Sequence, residues 1–97
     1  MRRAARIDDN QKEIVKALRN IGASVKHTHM VKGFVDIVVS YRQQTYLIEI
    51  KDGKKKPSAR RLTPDEQDFH DNWQAPVYVV ESIAQALDVV LHNPPKP

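Results

Sequence analysis

Hydrophobic and polar side chains alternate along two neighbouring stretches in the middle of the chain. The apolar positions are Val35, Ile37, Val39 and Tyr41 in the first stretch and Tyr46, Ile48 and Ile50 in the second. Because successive side chains of a strand point to opposite faces, this period of two predicts two strands with one apolar face each. An antiparallel hairpin turning at Arg42 and Gln43 pairs residues 35 with 50, 37 with 48 and 39 with 46. Arg-Gln is not a usual two-residue turn, so this register depends on the apolar pattern.

A helical pattern precedes the hairpin. Asp8 and Gln11 have the spacing of a capping box, an apolar stripe of period 3.6 follows them, and Gly22 is placed to end the helix. The elements predicted for the first two thirds of the chain are a helix over residues 9–21, strands over residues 23–27, 34–41 and 45–51, and a loop over residues 52–62.

A second helix is predicted to begin after that loop. Thr63, Pro64 and Glu66 have the order of an N-cap, a first-turn proline and the glutamate of a capping box. Phe69 and Trp73 share one face of this helix, and their spacing is typical of core anchors rather than of a base-stacking surface.

One strand and one helix complete the chain. Residues 77–80 are all apolar, as in a strand buried on both faces, and Ser82 opens a last helix. Residues 93–97 contain three prolines and are expected to form a loose tail. The predicted fold class is α/β, a single domain of 97 residues with its core over about residues 8–91. The order α-β-β-β-α-β-α implies a mixed sheet flanked by helices.

The composition narrows the class of protein. The chain has 40% apolar and 29% charged residues, a net charge of +4 and a pI near 9.5, which favour a polyanionic partner. It has no cysteine, which excludes disulfides, thiolate zinc sites and cysteine nucleophiles. No apolar stretch is long enough to be a signal sequence core or a membrane span, so a cytoplasmic location is expected.

The predicted hairpin brings charged side chains together on its second face. Its register sets Asp36 opposite Glu49, and Lys51 lies on the same face. Two opposed carboxylates repel each other unless a cation lies between them, and Mg²⁺ or Mn²⁺ suits such oxygen ligands. A divalent metal beside a lysine is, in outline, a phosphodiester-cleaving site. The alternative is that both carboxylates are solvent-facing charges, although Val38 and Leu47 share their face.

Basic residues follow this strand directly. We expect phosphate contacts from this loop, although lysine-rich loops are often simply solvated. Its basic residues are Lys54, Lys55, Lys56, Arg60 and Arg61, and Arg2, Arg3 and Arg6 could extend the surface.

The histidines do not favour a metal site. His27 and His29 share a strand face but have no third ligand nearby in the sequence. His70 and His92 are expected to be ordinary surface or boundary residues.

The chain resembles the PD-(D/E)XK nuclease superfamily, and within it the small stand-alone VRR-NUC-type nucleases of phages and prophages. The likeness covers residues 8–91 and depends on the order and spacing of several motifs. They are a first helix with Glu13, Gly33-x-x-Asp36, Glu49-x-Lys51, the basic loop, and Leu62-Thr63 opening a helix. Val35 stands where the superfamily has a proline, and Glu66 stands where the family often has a glutamine.

The resemblance implies a metal-dependent DNA endonuclease. Asp36, Glu49, the Ile50 backbone carbonyl and Glu13 would hold Mg²⁺ or Mn²⁺, and Lys51 would act beside the scissile phosphate. Glu13 could instead be a solvated first-turn glutamate, and Glu66 is already explained by the capping box, with Gln67 as its possible substitute.

The resemblance also implies a homodimer that prefers branched DNA such as a four-way junction. A monomer that nicks flaps or ends, an inactive nucleic-acid-binding module of the same fold, and a domain whose basic loop meets an acidic protein stay open as alternatives.

Overall fold

The computed structural model describes residues 7–92, with the backbone alone at Ala59 and Arg60. The predicted order of elements is confirmed, and a short 3₁₀ turn, Pro57–Arg60, interrupts the basic loop. The helices and strands are α1 (Asp9–Asn20), β1 (Ser24–His27), β2 (Ile37–Tyr41), β3 (Gln44–Ile50), α2 (Pro64–Asn72), β4 (Val77–Val80) and α3 (Ile83–His92).

The four strands form one mixed sheet in the order β1-β2-β3-β4. The first three strands are antiparallel, whereas β4 runs parallel to β3 because α2 carries the chain back across the sheet. Helices and sheet together form a single α/β domain, as the sequence predicts. The parallel pairing places the carboxyl end of β3 beside the carboxyl end of β4.

The hairpin of β2 and β3 has the predicted register. Ile37 pairs with Ile48 and Val39 with Tyr46. Arg42 and Gln43 turn the chain with φ angles of 52° and 66°. Two successive positive φ angles are typical of a type I′ turn, which matches the twist of the strands but normally requires Asn-Gly. The apolar pattern therefore holds the hairpin in register despite unfavourable turn residues.

The hydrophobic core lies between one face of the sheet and helices α1 and α3. Ile14, Leu18, Ile37, Val39 and Ile48 are all completely inaccessible to solvent. Burying one such side chain stabilises the fold by about 1.5–3 kcal/mol. Because β-strand side chains alternate, the even-numbered residues of β2 and the odd-numbered residues of β3 face the opposite side, where α2 approaches.

Two predictions of burial are wrong on that opposite side. Helix α2 has no fully buried residue, and Trp73 is 46% exposed rather than a core anchor. Phe69 is half-buried and packs edge-on against Phe34, with ring centroids 5.3 Å apart. Val79 is 44% exposed, so β4 is buried on one face only. Strand β4 lies at the edge of the sheet, and the short helix α2 leaves part of its second face exposed to solvent.

The N-terminal caps of helices α1 and α2 differ in whether they match the sequence prediction. Asp8 makes no capping hydrogen bond with its side chain. The side chain of Gln11 is buried with its amide 3.0 Å from His27 Nδ1, so it does not form the reciprocal half of a capping box. The capping box of Thr63 and Glu66 is confirmed.

Strand β2 begins at Ile37 rather than at residue 34, so residues 28–36 form a loop, which we call the β1–β2 loop. The tail over residues 93–97 and the arginines at positions 2, 3 and 6 lie outside the described residues. Between residues 7 and 92, no helix is long and apolar enough to cross a membrane.

Candidate active site

Asp36 and Glu49 meet at the end of the hairpin. The register of β2 and β3, continued by one residue, sets Asp36 opposite Glu49. Asp36 Oδ2 accepts a hydrogen bond of 2.7 Å from the backbone N–H of Ile50. Strand β2 begins only after Asp36, so the Asp36 side chain, rather than a backbone carbonyl, accepts the hydrogen bond from Ile50. This bond fixes the position of the Asp36 carboxylate relative to β3. Glu49 is only 2% exposed.

Lys51 and Glu66 complete the group. Lys51 Nζ donates to Glu66 Oε1 at 2.8 Å and lies 3.6 Å from Glu49 Oε2. Glu66 Oε1 also accepts from the backbone N–H of Thr63 at 2.8 Å. The capping hydrogen bond therefore orients the Glu66 carboxylate towards the Lys51 ammonium group. We call Asp36, Glu49, Lys51 and Glu66 the carboxylate–lysine cluster.

The charges of the cluster do not balance, since it contains three carboxylates and one ammonium group. Burial raises the pKa of Glu49 to about 9, and the negative charges of Asp36 and Glu66 add to this effect. Burial likewise raises the pKa of Asp36, against the opposing hydrogen bond from Ile50. A raised pKa means that the surroundings disfavour the charged form of the carboxyl group.

Lys51 and Glu66 stabilise each other's charges. Burial alone lowers the pKa of Lys51, but the hydrogen bond and charge of Glu66 outweigh it and raise the pKa. Burial would raise the pKa of Glu66, yet the hydrogen bonds from Lys51 and Thr63 lower it. The structure therefore favours a protonated lysine and an ionised Glu66, whereas the charged forms of Asp36 and Glu49 are disfavoured without a further cation.

The donor set of Asp36 and Glu49 fits a divalent cation. Glu49 Oε1 is buried and has no hydrogen-bond partner among the described residues. An orphaned buried carboxylate oxygen is costly, and a cation would satisfy it. Over residues 7–92, no three histidine or acidic side chains are arranged as a complete metal site. Mg²⁺ does not need one, because it is commonly held by one or two carboxylates and keeps several water ligands.

Two candidate residues from the sequence lie apart from the cluster. Glu13 is exposed on α1, and it is not among the groups that perturb the pKa of Asp36 or Glu49. Gln67 is exposed on α2, and its amide donates to Asp71 Oδ1 at 2.8 Å. A role for Glu13 in metal binding remains a prediction, and Gln67 does not replace Glu66 beside Lys51.

Sequence reasoning missed two neighbours of the cluster. The Asn10 amide donates to the carbonyl oxygens of Lys51 at 3.0 Å and Glu81 at 3.3 Å, which ties α1 to the ends of β3 and β4. His70 lies one turn beyond Glu66 on α2, and burial lowers its pKa while the charge of Glu66 raises it. The i, i+4 spacing of Glu66 and His70 was a visible signal, whereas Asn10 was recognisable only from the tertiary structure.

The basic loop leaves β3 at the cluster. Lys54, Lys55, Lys56 and Arg61 are exposed, and none of the four forms an ion pair within the described part of the chain. Asp52 shapes the turn, since its side chain accepts from the backbone N–H of Lys54 at 2.9 Å. The side chain of Arg60 is outside the described atoms. Exposed basic side chains therefore follow the carboxylate–lysine cluster directly along the chain.

The comparisons with known proteins agree with this geometry. No protein-family model matches the sequence, and no curated protein matches it. A solved structure described as a VRR_NUC domain is similar, with a TM-score of 0.60 and 25% sequence identity. The alignment covers 84% of this chain and 90% of that structure. The chain therefore has a VRR-NUC nuclease-like fold.

Proposed function

We propose that this chain is a DNA endonuclease that hydrolyses phosphodiester bonds with Mg²⁺ or Mn²⁺ at the carboxylate–lysine cluster. The observation that carries the proposal is the pair of the half-buried Asp36 and the buried Glu49, which lie opposite each other beside the Lys51 ammonium group and leave Glu49 Oε1 without a hydrogen-bond partner among the described residues. The similarity to a VRR_NUC domain supports nuclease chemistry on this fold.

Asp36 and Glu49 are the proposed metal ligands, with the Ile50 carbonyl as a third. The N–H and C=O of one strand residue point to the same edge of the strand. Since the Ile50 N–H donates to Asp36, its carbonyl is directed towards the same side. A bound divalent cation would supply Lewis acidity and neutralise negative charge that develops on the phosphoryl oxygens.

Lys51 is proposed to stabilise negative charge on the scissile phosphate. Its raised pKa keeps it protonated, so it acts as a hydrogen-bond donor and a positive charge rather than as a general base. Glu66 is a positioning residue, because it holds the ammonium group of Lys51 at 2.8 Å through a carboxylate that is itself fixed by the helix cap.

The basic loop is proposed to bind the DNA backbone. Lys54, Lys55, Lys56 and Arg61 are exposed and close in sequence to the catalytic Lys51. Contacts of lysine and arginine with phosphates hold a duplex in place without reading its sequence. Such contacts also explain why a chain with an acidic active site carries a net charge of +4.

We further propose that the protein is a homodimer that cleaves branched DNA in preference to linear duplex. Strand β4 is at the edge of the sheet, and exposed apolar side chains lie on and near it, namely Val79 and Trp73. A two-fold dimer would cover some of this surface and present two active sites related by symmetry, as cleavage of a four-way junction requires. A monomeric enzyme acting on flaps or ends is the alternative.

An inactive binding module is the second candidate function. It is favoured by Val35, which replaces the proline of the superfamily. However, Val35 is 1% exposed and fills the interior, so the substitution leaves Asp36 in place. The side chains proposed to carry the chemistry also lie together in one cluster around Lys51.

Cleavage assays on linear, flapped and four-way DNA test these proposals together. We expect cleavage with Mg²⁺ or Mn²⁺, little with Ca²⁺ and none with EDTA. Faster cleavage of the four-way substrate and a mass near twice 11.1 kDa by light scattering would support a homodimer that prefers branched DNA. Metal-independent DNA binding without any cleavage would favour the inactive module.

A further inference from the structure

The side-chain amide of Asn10 joins helix α1 to the ends of two parallel strands. Its Nδ2 donates to the Lys51 carbonyl at 3.0 Å and to the Glu81 carbonyl at 3.3 Å. Both partners are acceptors, and an amide nitrogen carries two hydrogens that it can donate, so asparagine matches this position chemically. A carboxylate of the same shape has no hydrogen to donate and would face two carbonyl oxygens.

Hydrogen bonds hold the backbone of Lys51 on both sides. Its N–H donates to the Val80 carbonyl at 2.9 Å, which extends the pairing of β3 with β4 by one residue. Its carbonyl accepts from Asn10 instead of from a strand. Since Lys51 is half-buried, a carbonyl without a partner at this position would be unfavourable.

The chain that follows Lys51 also passes close to β4. A Cβ atom added at Gly53 would lie 3.3 Å from Glu81 Cβ and 3.3 Å from Glu81 Oε1. The start of the basic loop is therefore packed against the residue whose carbonyl Asn10 binds. Helix α1 and the ends of β3 and β4 thus meet at one point, next to the proposed catalytic lysine.

The position of the Lys51 ammonium group depends on both ends of its side chain. Lysine has a flexible four-carbon stem, so its charged group has a defined position only if the backbone and the charged end are both held. Glu66 holds the charged end at 2.8 Å, and Asn10 holds the backbone. Displacement of a catalytic group by about 1 Å can slow a reaction about 100-fold.

We propose that Asn10 is a positioning residue for the cleavage reaction, because it fixes the backbone from which Lys51 reaches the scissile phosphate. Asn10 acts through Lys51 and not on the cation or the phosphate. The inference rests on the proposed nuclease function and deepens it, since it names a further residue on which the rate of that reaction depends.

Two substitutions of Asn10 test the inference. Asn10→Asp keeps the shape of the side chain but removes both donated hydrogen bonds, and Asn10→Ala removes them without adding a charge. Val15→Ala is the matched control, because Val15 lies on the same helix and is 3% exposed in the core, where it has no polar contact to lose. Asn10→Ala and Val15→Ala should both lower the midpoint of thermal unfolding by several degrees.

The Asn10 variants should lose rate and keep binding. Single-turnover cleavage at saturating Mn²⁺ and DNA should be about tenfold slower in both, and unchanged in Val15→Ala at a temperature where all the proteins are folded. Affinity for Mn²⁺ by calorimetry, and for DNA in EDTA, should stay within about twofold, because Asp36, Glu49 and the basic loop are retained.

A double-mutant cycle identifies the group through which Asn10 acts. Asn10→Ala combined with Glu66→Gln should slow cleavage by clearly less than the product of the two single effects, because both substitutions release the same ammonium group. A product of the two effects would show that Asn10 acts independently of Lys51 and would overturn the inference.

Full cleavage by Asn10→Ala would also overturn it and leave the proposed nuclease function intact. The same conclusion would follow from equally slow cleavage by Val15→Ala, from a tenfold loss of Mn²⁺ affinity in both Asn10 variants, or from failure of both to fold, since each outcome assigns Asn10 a general structural role. If the unsubstituted protein did not cleave DNA with Mg²⁺ or Mn²⁺, the proposed function itself would fail, and this inference with it.

Discussion

The carboxylate of Glu66 that completes the cap of helix α2 is also the partner of the Lys51 ammonium group, at 2.8 Å. One side chain therefore links the start of a helix to the end of a strand that is 15 residues distant in sequence. This link makes helix stability and the position of the proposed catalytic lysine depend on the same group.

Glu66→Gln and Glu66→Ala should separate the two roles. Gln retains an oxygen that can accept from Thr63, so it should preserve most of the cap, whereas Ala should lower the free energy of unfolding by about 1–2 kcal/mol. Both variants remove the negative charge that holds Lys51, so both should slow cleavage about tenfold or more. Urea unfolding and single-turnover cleavage measure the two effects.

Asp65→Asn is the control for Glu66, because Asp65 is exposed in the same helical turn and does not contact Lys51. Full cleavage activity in Glu66→Gln would contradict the positioning role.

The stability of the metal-free protein should fall as the pH rises from about 5 to 9. The pKa of Glu49 is raised from 4.5 in the unfolded chain to about 9, so between these values the folded protein holds a proton that the unfolded chain has released. Stability is therefore fully present below the lower pKa and is lost towards the higher one, at no more than about 1.4 kcal/mol per pH unit from this group.

Chemical unfolding at several pH values in EDTA measures this slope. Glu49→Gln should flatten it, whereas Asp9→Asn, at a side chain that is 96% exposed, should not. Addition of Mn²⁺ at pH 8 should raise the stability of the unsubstituted protein and leave Glu49→Gln nearly unchanged. A Glu49→Gln profile that is as steep as the original would show that another group carries the titration.

The hairpin turn can be improved without changing the active site. Arg42 and Gln43 adopt φ angles of 52° and 66°, which Asn and Gly adopt with less strain. Arg42→Asn/Gln43→Gly should therefore raise the free energy of unfolding by about 1 kcal/mol. Urea denaturation tests this expectation, and an unchanged or lower midpoint would mean that the turn is not strained in solution.

Neutralising the basic loop should weaken DNA binding irrespective of sequence. Lys54, Lys55 and Lys56 are exposed and form no ion pair with any described residue, so their replacement by glutamine should leave the fold unchanged. The slope of log affinity against log salt should flatten by up to about three phosphate contacts. Lys12→Gln/Lys16→Gln, on an exposed face of α1, provides the control. An unchanged slope in the triple variant would show that DNA is held elsewhere.

The sequence predicted the parts of this molecule that depend on local periodicity. The alternation of residues such as Ile37 and Ile48 determined the register, and the register placed Asp36 beside Glu49. The capping box predicted the start of α2 but not the ion pair of Glu66 with Lys51, because the distance between a helix and a strand is not encoded in either pattern. The capping box expected from Asp8 and Gln11 is not formed, and the Gln11 amide instead lies 3.0 Å from His27 Nδ1, a tertiary contact that the spacing of Asp8 and Gln11 does not reveal.

Burial on the second face of the sheet was the least predictable property. The apolar run of β4 and the aromatic spacing of α2 predicted buried positions, yet Val79 and Trp73 are exposed. A hydrophobic pattern shows which face could be covered, whereas the length and position of the neighbouring helix determine how much of it is covered.

The central claim is that Asp36 and Glu49 bind a divalent cation and that Lys51 stabilises the scissile phosphate beside it. Mn²⁺ titration by calorimetry tests this claim most directly. Unsubstituted protein should bind Mn²⁺, Asp36→Asn should bind it at least about tenfold more weakly, and Lys51→Ala should bind it well but fail to cleave DNA. Equal Mn²⁺ binding by Asp36→Asn, or undiminished cleavage by Lys51→Ala, would contradict the account.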